Sequence, residues 1–298
     1  MSAPRPVIPG RTYLLTRRCF GRMFLLRPSI KTTQIFKFCL AVASQRTGVQ
    51  LHAFCALSNH YHLVATDPRG TLPEFMHWLN EYVAKCVNAE IGRWESFWAP
   101  GSYSSVGLAD DEDVVGKLAY VYANPVDAGL VRTLRDWPGA RSLPEQMDGS
   151  EEVISRPTGF FRENGTVPAS ATLKLVPPPA FIGIELEFIP SLSSRVAVRE
   201  SELRRTARRE GRSFLGARRV RSQSPFAYPA SFETRRGLNP RLAARDKWRR
   251  IETIRRLKGF LQAYRVAWTR FANGDWSVMF PCGTYGMRVR YGVRCSEP

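Results

Sequence analysis

The run Val49-Gln50-Leu51-His52-Ala53-Phe54-Cys55-Ala56-Leu57-Ser58-Asn59-His60-Tyr61-His62-Leu63-Val64-Ala65-Thr66 decides the fold. Val49 to Leu57 alternates as a strand, Ser58-Asn59 makes a tight connection, and His60 to Thr66 forms a second strand, so the run predicts an antiparallel pair. Working outward, Thr32 to Gly48 carries apolar residues at 35, 36, 39, 40 and 43, a helical spacing that Gly48 ends. Before it, Arg11 to Arg18 predicts a first strand, followed by a turn at Gly21. Downstream, Leu72 to Ile91 predicts a helix with Phe75, Leu79, Tyr82, Val83 and Cys86 on one stripe and Gly92 as its stop. Trp94 to Leu108, aromatic and punctuated by Gly and Ser, predicts a strand pair or a loop. Asp110-Asp111-Glu112-Asp113 opens a third helix, where acidic residues suit the positive end of the helix dipole. It carries Val114, Val115, Leu118, Ala119 and Val121 and is expected to close at Asn124-Pro125, because proline disfavours helical geometry in the residue before it. The order β-α-β-β-α-(β)-α predicts an α+β fold, an antiparallel-containing sheet with helices on one side.

The remainder has a different character. Residues 139–182 are rich in Pro, Gly, Ser and Glu and predict a linker or peripheral wrap. An arginine-rich helix follows near 191–214, a Ser/Pro-containing break at 222–231, and a long basic helix near 240–272. Trp276 to Tyr291 alternates enough to predict one or two terminal strands around Gly283. The expected organisation is therefore a domain over 1–142, a linker or wrap over 143–190, and a basic, mainly helical extension over 191–298. Charge follows the same division. Residues 1–150 hold 16 basic and 13 acidic side chains, whereas 151–298 hold 28 and 13, which places nearly all of the formal +18 in the second half. Such an excess points to a polyanion, and arginine in particular suits bidentate phosphate contacts and stacking on bases. The arginine segments lack the wide apolar face that an anionic membrane would require.

Several classes of function are excluded by composition. No run approaches the eighteen or so consecutive apolar residues of a membrane-spanning helix. The first ten residues lack the apolar stretch of a secretory signal peptide. Six scattered cysteines, with no Cys-x-x-Cys pair, suggest neither a zinc cluster nor a disulfide framework and fit a reducing compartment. Only His52, His60, His62 and His77 are present, so a barrel-type metallohydrolase, which needs further histidines later in the chain, has no ligands to use.

Two short motifs carry the chemistry. On a strand, residues two apart share a face, so His60 and His62 can converge on one metal ion while Tyr61 faces the other way. In Tyr120-Val121-Tyr122-Ala123-Asn124-Pro125-Val126-Asp127-Ala128-Gly129-Leu130-Val131, a helix places Tyr120 and Asn124 one turn apart on one face and turns Tyr122 away. A phenolic hydroxyl and an amide oxygen would thus be offered together. Each motif alone also admits a plain reading: two histidines at a strand edge, and a helix ended by Asn-Pro.

Together, Leu57-Ser58-Asn59-His60-Tyr61-His62 and the Tyr120–Val131 block resemble the HUH-type, one-tyrosine single-strand DNA transposases, most nearly the REP-associated tyrosine transposases of bacteria. The resemblance covers residues 10 to about 142; the family's usual Met stands as Leu57, and Tyr61 is larger than the usual aliphatic. It implies a ferredoxin-like HUH nuclease fold, with Tyr120 as the nucleophile that forms a 5′-phosphotyrosine. It implies that His60, His62 and Asn124 hold Mg²⁺ or Mn²⁺, and that the substrate is single-stranded DNA with hairpin or foldback structure. A cytoplasmic, nucleoid-associated bacterial protein acting as a monomer or homodimer is what such a family member would be.

A single-strand nuclease needs cationic grooves for phosphates and aromatic faces for bases. Arg17, Arg18, Arg22, Trp94 and Trp98 are the candidates near the first strand. Arg204, Arg205, Arg208, Arg209, Arg249 and Arg250 are those of the basic extension, expected to grip duplex stem DNA through its phosphates. The alternative is a catalytically inactive hairpin-DNA-binding protein that keeps the same fold.

Overall fold

A computed structural model describes residues 4–162, 164–231 and 241–297. Strand β1 (Arg11–Arg18) leads to helix α1 (Ile30–Thr47), which begins at Ser29, whose side chain accepts from the Thr32 N–H, and ends at Gly48 in the left-handed region with φ 76°. Strands β2 (Gln50–Leu57) and β3 (His60–Asp67) form the antiparallel hairpin that the sequence predicts. Helix α2 (Leu72–Glu90), strand β4 (Ser104–Leu108) and helix α3 (Asp111–Asp127) complete the unit. The sheet order is β2-β3-β1-β4, antiparallel throughout, which is the ferredoxin-like arrangement of a β-α-β-β-α-β chain. A two-residue strand β7 (Leu242–Ala243) adds to β4 in parallel.

The sheet face that carries Tyr61 is covered by α1 and α2. Tyr61 is fully buried, meets the Phe36 ring edge-on at 5.4 Å, and donates its hydroxyl to Asn80 Oδ1 at 2.8 Å. One refinement to the expected architecture concerns α3, which lies across the opposite face, the one bearing His62, so the helices do not all share a side. Both faces of the β2–β3 hairpin are buried, one beneath α1 and α2 and the other beneath α3.

Helix α3 also runs through Asn124-Pro125 to Asp127 rather than closing there. Pro125 stands in the last turn, where a missing N–H removes only one bond, and Ala128 N still donates to Asn124 O at 3.0 Å.

Residues 143–190 enclose the β2 edge. Strands β5 (Glu151–Ser155) and β6 (Ser170–Lys174) pair antiparallel and pack on α1, with Ile154, Ala171, Leu173 and Leu175 entering the main core. Val176 N donates to Leu51 O at 3.0 Å, beside a bulge at His52 in β2. That bulged imidazole is fully buried between the Val176 carbonyl (2.8 Å) and Thr66 Oγ1 (2.7 Å).

Helix α4 (Glu185–Arg209) packs along α3 and contributes Phe188, Leu192 and Val196 to the same core. After the short helix α5 (Ala217–Ser222), α6 (Lys247–Ala272) starts at Asp246 and is exposed along nearly all of its length. Its last turns join a separate small core of Ala267, Val278, Phe280, Met287 and Val293. The terminal strands expected over Trp276 to Tyr291 are instead a helix, α7 (Tyr285–Tyr291), with a single bridge from Phe280 to Cys295. Only Met287 of α7 is buried, and one buried position cannot distinguish a period of 2 from one of 3.6. Among the described residues no helix is long and apolar enough to cross a membrane.

Candidate active site

The β1–β3 register sets Thr16 directly opposite His62, and this pairing builds the centre. Thr16 Oγ1 lies 2.8 Å from His62 Nδ1, and the Tyr120 hydroxyl lies 3.2 Å from His62 Nε2. Either neutral tautomer satisfies both contacts: Nδ1–H donates to Thr16 while Tyr120 donates to Nε2, or Thr16 donates to Nδ1 while Nε2–H donates to Tyr120. His60 stands beside it, its ring 4.9 Å from the His62 ring centroid to centroid, with Nδ1 held 2.7 Å from Asn59 Oδ1. Both imidazoles are thus oriented at Nδ1 by a polar neighbour, as ligating histidines commonly are.

Burial holds His62 in its neutral form. Desolvation is the largest cause pushing its pKa well below the ordinary histidine value, and His60, Arg18 and Lys117 add repulsion against a second charge. A neutral imidazole keeps a lone pair on one ring nitrogen, which a base or a metal ligand requires.

One turn after Tyr120, Asn124 is 6% exposed, and its Oδ1 has no hydrogen-bond partner among the described residues. A buried amide oxygen without a partner costs about 1–3 kcal/mol unless something supplies one. Two imidazoles on one strand face and an unsatisfied amide oxygen one turn after Tyr120 make a donor set that fits a divalent cation with open positions. Among the described residues no three His, Cys, Asp or Glu side chains gather at one point, so any metal site here depends on the amide.

Two further side chains belong to the centre and were not read from the sequence. Lys117 Nζ lies 5.7 Å from the Tyr120 ring centroid, and the Arg199 guanidinium, from α4, lies 5.9 Å from it. Burial lowers the Lys117 pKa; Asp113 partly offsets this, while Arg245 and Arg199 lower it further. Arg199 Nε is buried without a partner among the described residues. Lys117 was within reach of sequence reasoning, being one turn before Tyr120 on the same helix. Arg199 and Thr16 were not, because only the tertiary fold brings them there. Arg199 is held in place by the docking of α4: Arg195 pairs with Glu112 at the start of α3, and Glu200 Oε1 accepts from Leu134 N at 2.6 Å.

Of the candidate DNA contacts, Arg18 is exposed and near enough to act on His62. Arg17 is half-buried, donating to Gly101 O at 2.7 Å with its guanidinium 5.9 Å from the Trp98 ring. Trp98 itself donates Nε1–H to Asn80 O at 2.8 Å and lies edge-on to Tyr61, so much of its surface is committed to the fold. Trp94 is 88% exposed. Arg22 reaches Ser231 O at 2.6 Å. Arg204 donates to Arg132 O at 3.0 Å, whereas Arg205, Arg208, Arg209, Arg249 and Arg250 are exposed. Tyr122 is fully buried, with its hydroxyl 3.4 Å from His52 O, and takes no part in the centre.

No family model matches the sequence, and no curated protein matches it. Among solved structures, the chain is similar to a REP-associated tyrosine transposase bound to a REP hairpin, at 17% identity and a TM-score of 0.42, over 54% of this chain and 98% of that one. It is also similar to a candidate transposase from Deinococcus radiodurans R1, at 18% identity and a TM-score of 0.29, over 38% of this chain and 88% of that one. At this level of identity and overlap neither likeness assigns a residue role, and the roles rest on the side chains described above.

Proposed function

We propose that the chain is a DNA transposase that cleaves and rejoins single-stranded, hairpin-bearing DNA through a tyrosine–phosphate intermediate. The observation that carries this reading is the Tyr120 hydroxyl at 3.2 Å from His62 Nε2, on a helix that also presents the unpartnered amide oxygen of Asn124. A phenol held by a neutral imidazole beside cations suits nucleophilic attack on a phosphodiester. The Tyr120 oxygen forms a bond to phosphorus, the bond from phosphorus to the 3′ oxygen breaks, and the leaving 3′ oxygen takes up a proton. The strand end is then a 5′-phosphotyrosine, and attack by a free 3′-OH reverses the step without a nucleotide cofactor.

His60, His62 and Asn124 would hold the cation, Mg²⁺ or Mn²⁺, which when bound would neutralise charge developing on the phosphate oxygens. Were Nε2 of His62 to serve a metal, Tyr120 would give up its hydrogen bond there. The phenol would turn toward the phosphate and release its proton to water. Lys117 and Arg199 supply the remaining positive charge around the reacting oxygen. The exposed arginines of α4 and α6 would add phosphate contacts to the hairpin, giving affinity without sequence information. A cytoplasmic, nucleoid-associated location goes with this reading.

A denaturing gel with internally labelled single-stranded hairpins and Mg²⁺ or Mn²⁺ tests it. Wild type and Tyr122→Phe should form a protease-sensitive protein–DNA adduct, and Tyr120→Phe should form none. Hairpin binding without an adduct in either metal would replace this reading with that of an inactive hairpin-binding protein.

A further inference from the structure

A cleft of about 680 Å³ lies between the segment that follows α3 and the C-terminal end of α4, and no residue of the His60–Tyr120 centre lines it. Its wall brings Arg132, Arg204, Arg208 and Arg212 against one carboxylate, Asp136. That carboxylate is already engaged, accepting from the Thr133 N–H at 3.1 Å and the Thr133 hydroxyl at 2.9 Å. Arg212 is paired with Glu210 at 2.6 Å, and Arg204 lies 3.6 Å from Glu200. Arg132 and Arg208 have no ion pair among the described residues. The cleft therefore keeps a net positive charge after its internal pairs are counted.

Phe214 gives the cleft its second property. The ring is half-exposed, belongs to neither hydrophobic core, and has the Arg132 guanidinium 5.8 Å from its centroid. Its position is fixed by backbone: Leu215 N donates to Gly129 O at 3.0 Å and Gly216 N to Leu130 O at 2.8 Å. A half-exposed aromatic face on anchored backbone, beside guanidinium groups, is what a base with its phosphate requires, stacking on the ring and charge-assisted bonds to the phosphate oxygens. An acidic peptide would use the charge and leave the ring bare. Arg132 lies five residues beyond the end of α3, the helix that carries Tyr120.

We propose that this cleft binds one unstacked nucleotide of single-stranded DNA, with its base on Phe214 and its phosphate between Arg132 and Arg208. The proposal rests on the transposase reading for the identity of the nucleic acid.

Fluorescence anisotropy tests it on the full chain carrying Tyr120→Phe, so that binding is read without chemistry. The probes are a hairpin with a single-stranded flank, the same hairpin with an abasic residue at each flank position in turn, a blunt hairpin, and a free mononucleotide. One flank position should be sensitive, its abasic form binding roughly tenfold more weakly. Phe214→Leu should bind the intact probe more weakly by a similar factor and lose that sensitivity, and Phe214→Trp should regain it. Arg208→Ala should lower the salt slope by about 1. The proposal is overturned if Phe214→Leu keeps the parent's abasic profile, or if it weakens the blunt hairpin equally. Competition by the free mononucleotide as strong as that by the flank would also overturn it, in favour of a nucleotide-binding site. An unchanged abasic profile, with normal adducts from the Tyr120-bearing chain in the gel assay, would remove the cleft alone, whereas a position-specific profile with no adduct in that gel assay would remove the transposase reading alone.

Discussion

The Tyr120 centre and helix α6 both rely on positive charge, and they hold it in opposite settings. At the centre Lys117 and Arg199 are half-buried against one aromatic ring, and Arg199 depends on α4 being docked on α3. On α6, Arg249 and Arg250 stand in water on a helix that buries only Ala267. A desolvated cation acts strongly and locally, whereas an exposed one acts weakly, at a distance, and in proportion to salt. Burial, rather than the count of arginines, therefore separates the two settings, and under the proposed function it would separate a chemical role from a holding role.

The largest expected effect comes from dividing the basic half at two points. Ending the chain after Pro190 removes Leu192, Val196 and Val220 from the main core and leaves Leu134 N without its acceptor. That should cost about 5 kcal/mol or more, from three buried aliphatic side chains and one unsatisfied buried donor. Ending it after Asp246 removes α6, α7 and their small core, and should leave the melting transition of the main domain within a few degrees of wild type. Equal destabilisation by the two truncations would mean that the basic half is one structural unit.

The second effect is a pH dependence within the domain itself. Burial lowers the His52 pKa from 6.5 to about 4, so the folded protein holds this imidazole neutral. The stability it contributes is fully present above about pH 6.5 and is lost as the pH falls toward 4, because the unfolded chain takes up the proton first. The maximum loss is about 3 kcal/mol. Thermal melts of wild type and His52→Gln between pH 7 and 4 should converge as the pH falls. Parallel curves would show that the bulge at His52 is not the acid-sensitive point.

What was legible in the sequence follows the same division between local and tertiary. The β2–β3 hairpin, both helices that cover Tyr61, and the shared face of Tyr120 and Asn124 could be read because each depends on a short-range period or turn. Pro125 was misread because the rule against helix before proline is a preference, which the cover over β3 outweighs when a single bond is lost in a last turn. Residues 276–291 were misread because a weakly buried helix has little periodicity to show. Thr16 is set by strand register and Arg199 by helix docking, neither of which leaves a pattern within the segment itself.

The sharper test of the comparison sets Arg199 against Arg249 and Arg250. Within the proposed chemistry, a phosphate at the Tyr120 oxygen would give the buried Arg199 Nε a partner. Arg199→Ala should therefore slow single-turnover adduct formation by about tenfold to a hundredfold while weakening hairpin binding much less. Arg199→Lys should recover part of the rate. Arg249→Ala with Arg250→Ala should do the reverse and with the smallest magnitude. Adduct formation at saturating DNA should be unchanged, and the salt slope of hairpin binding should fall by about 2, one for each phosphate that is no longer neutralised. A rate effect from the α6 pair, or a salt-slope change with no rate effect from Arg199, would reverse the assignment of the two settings.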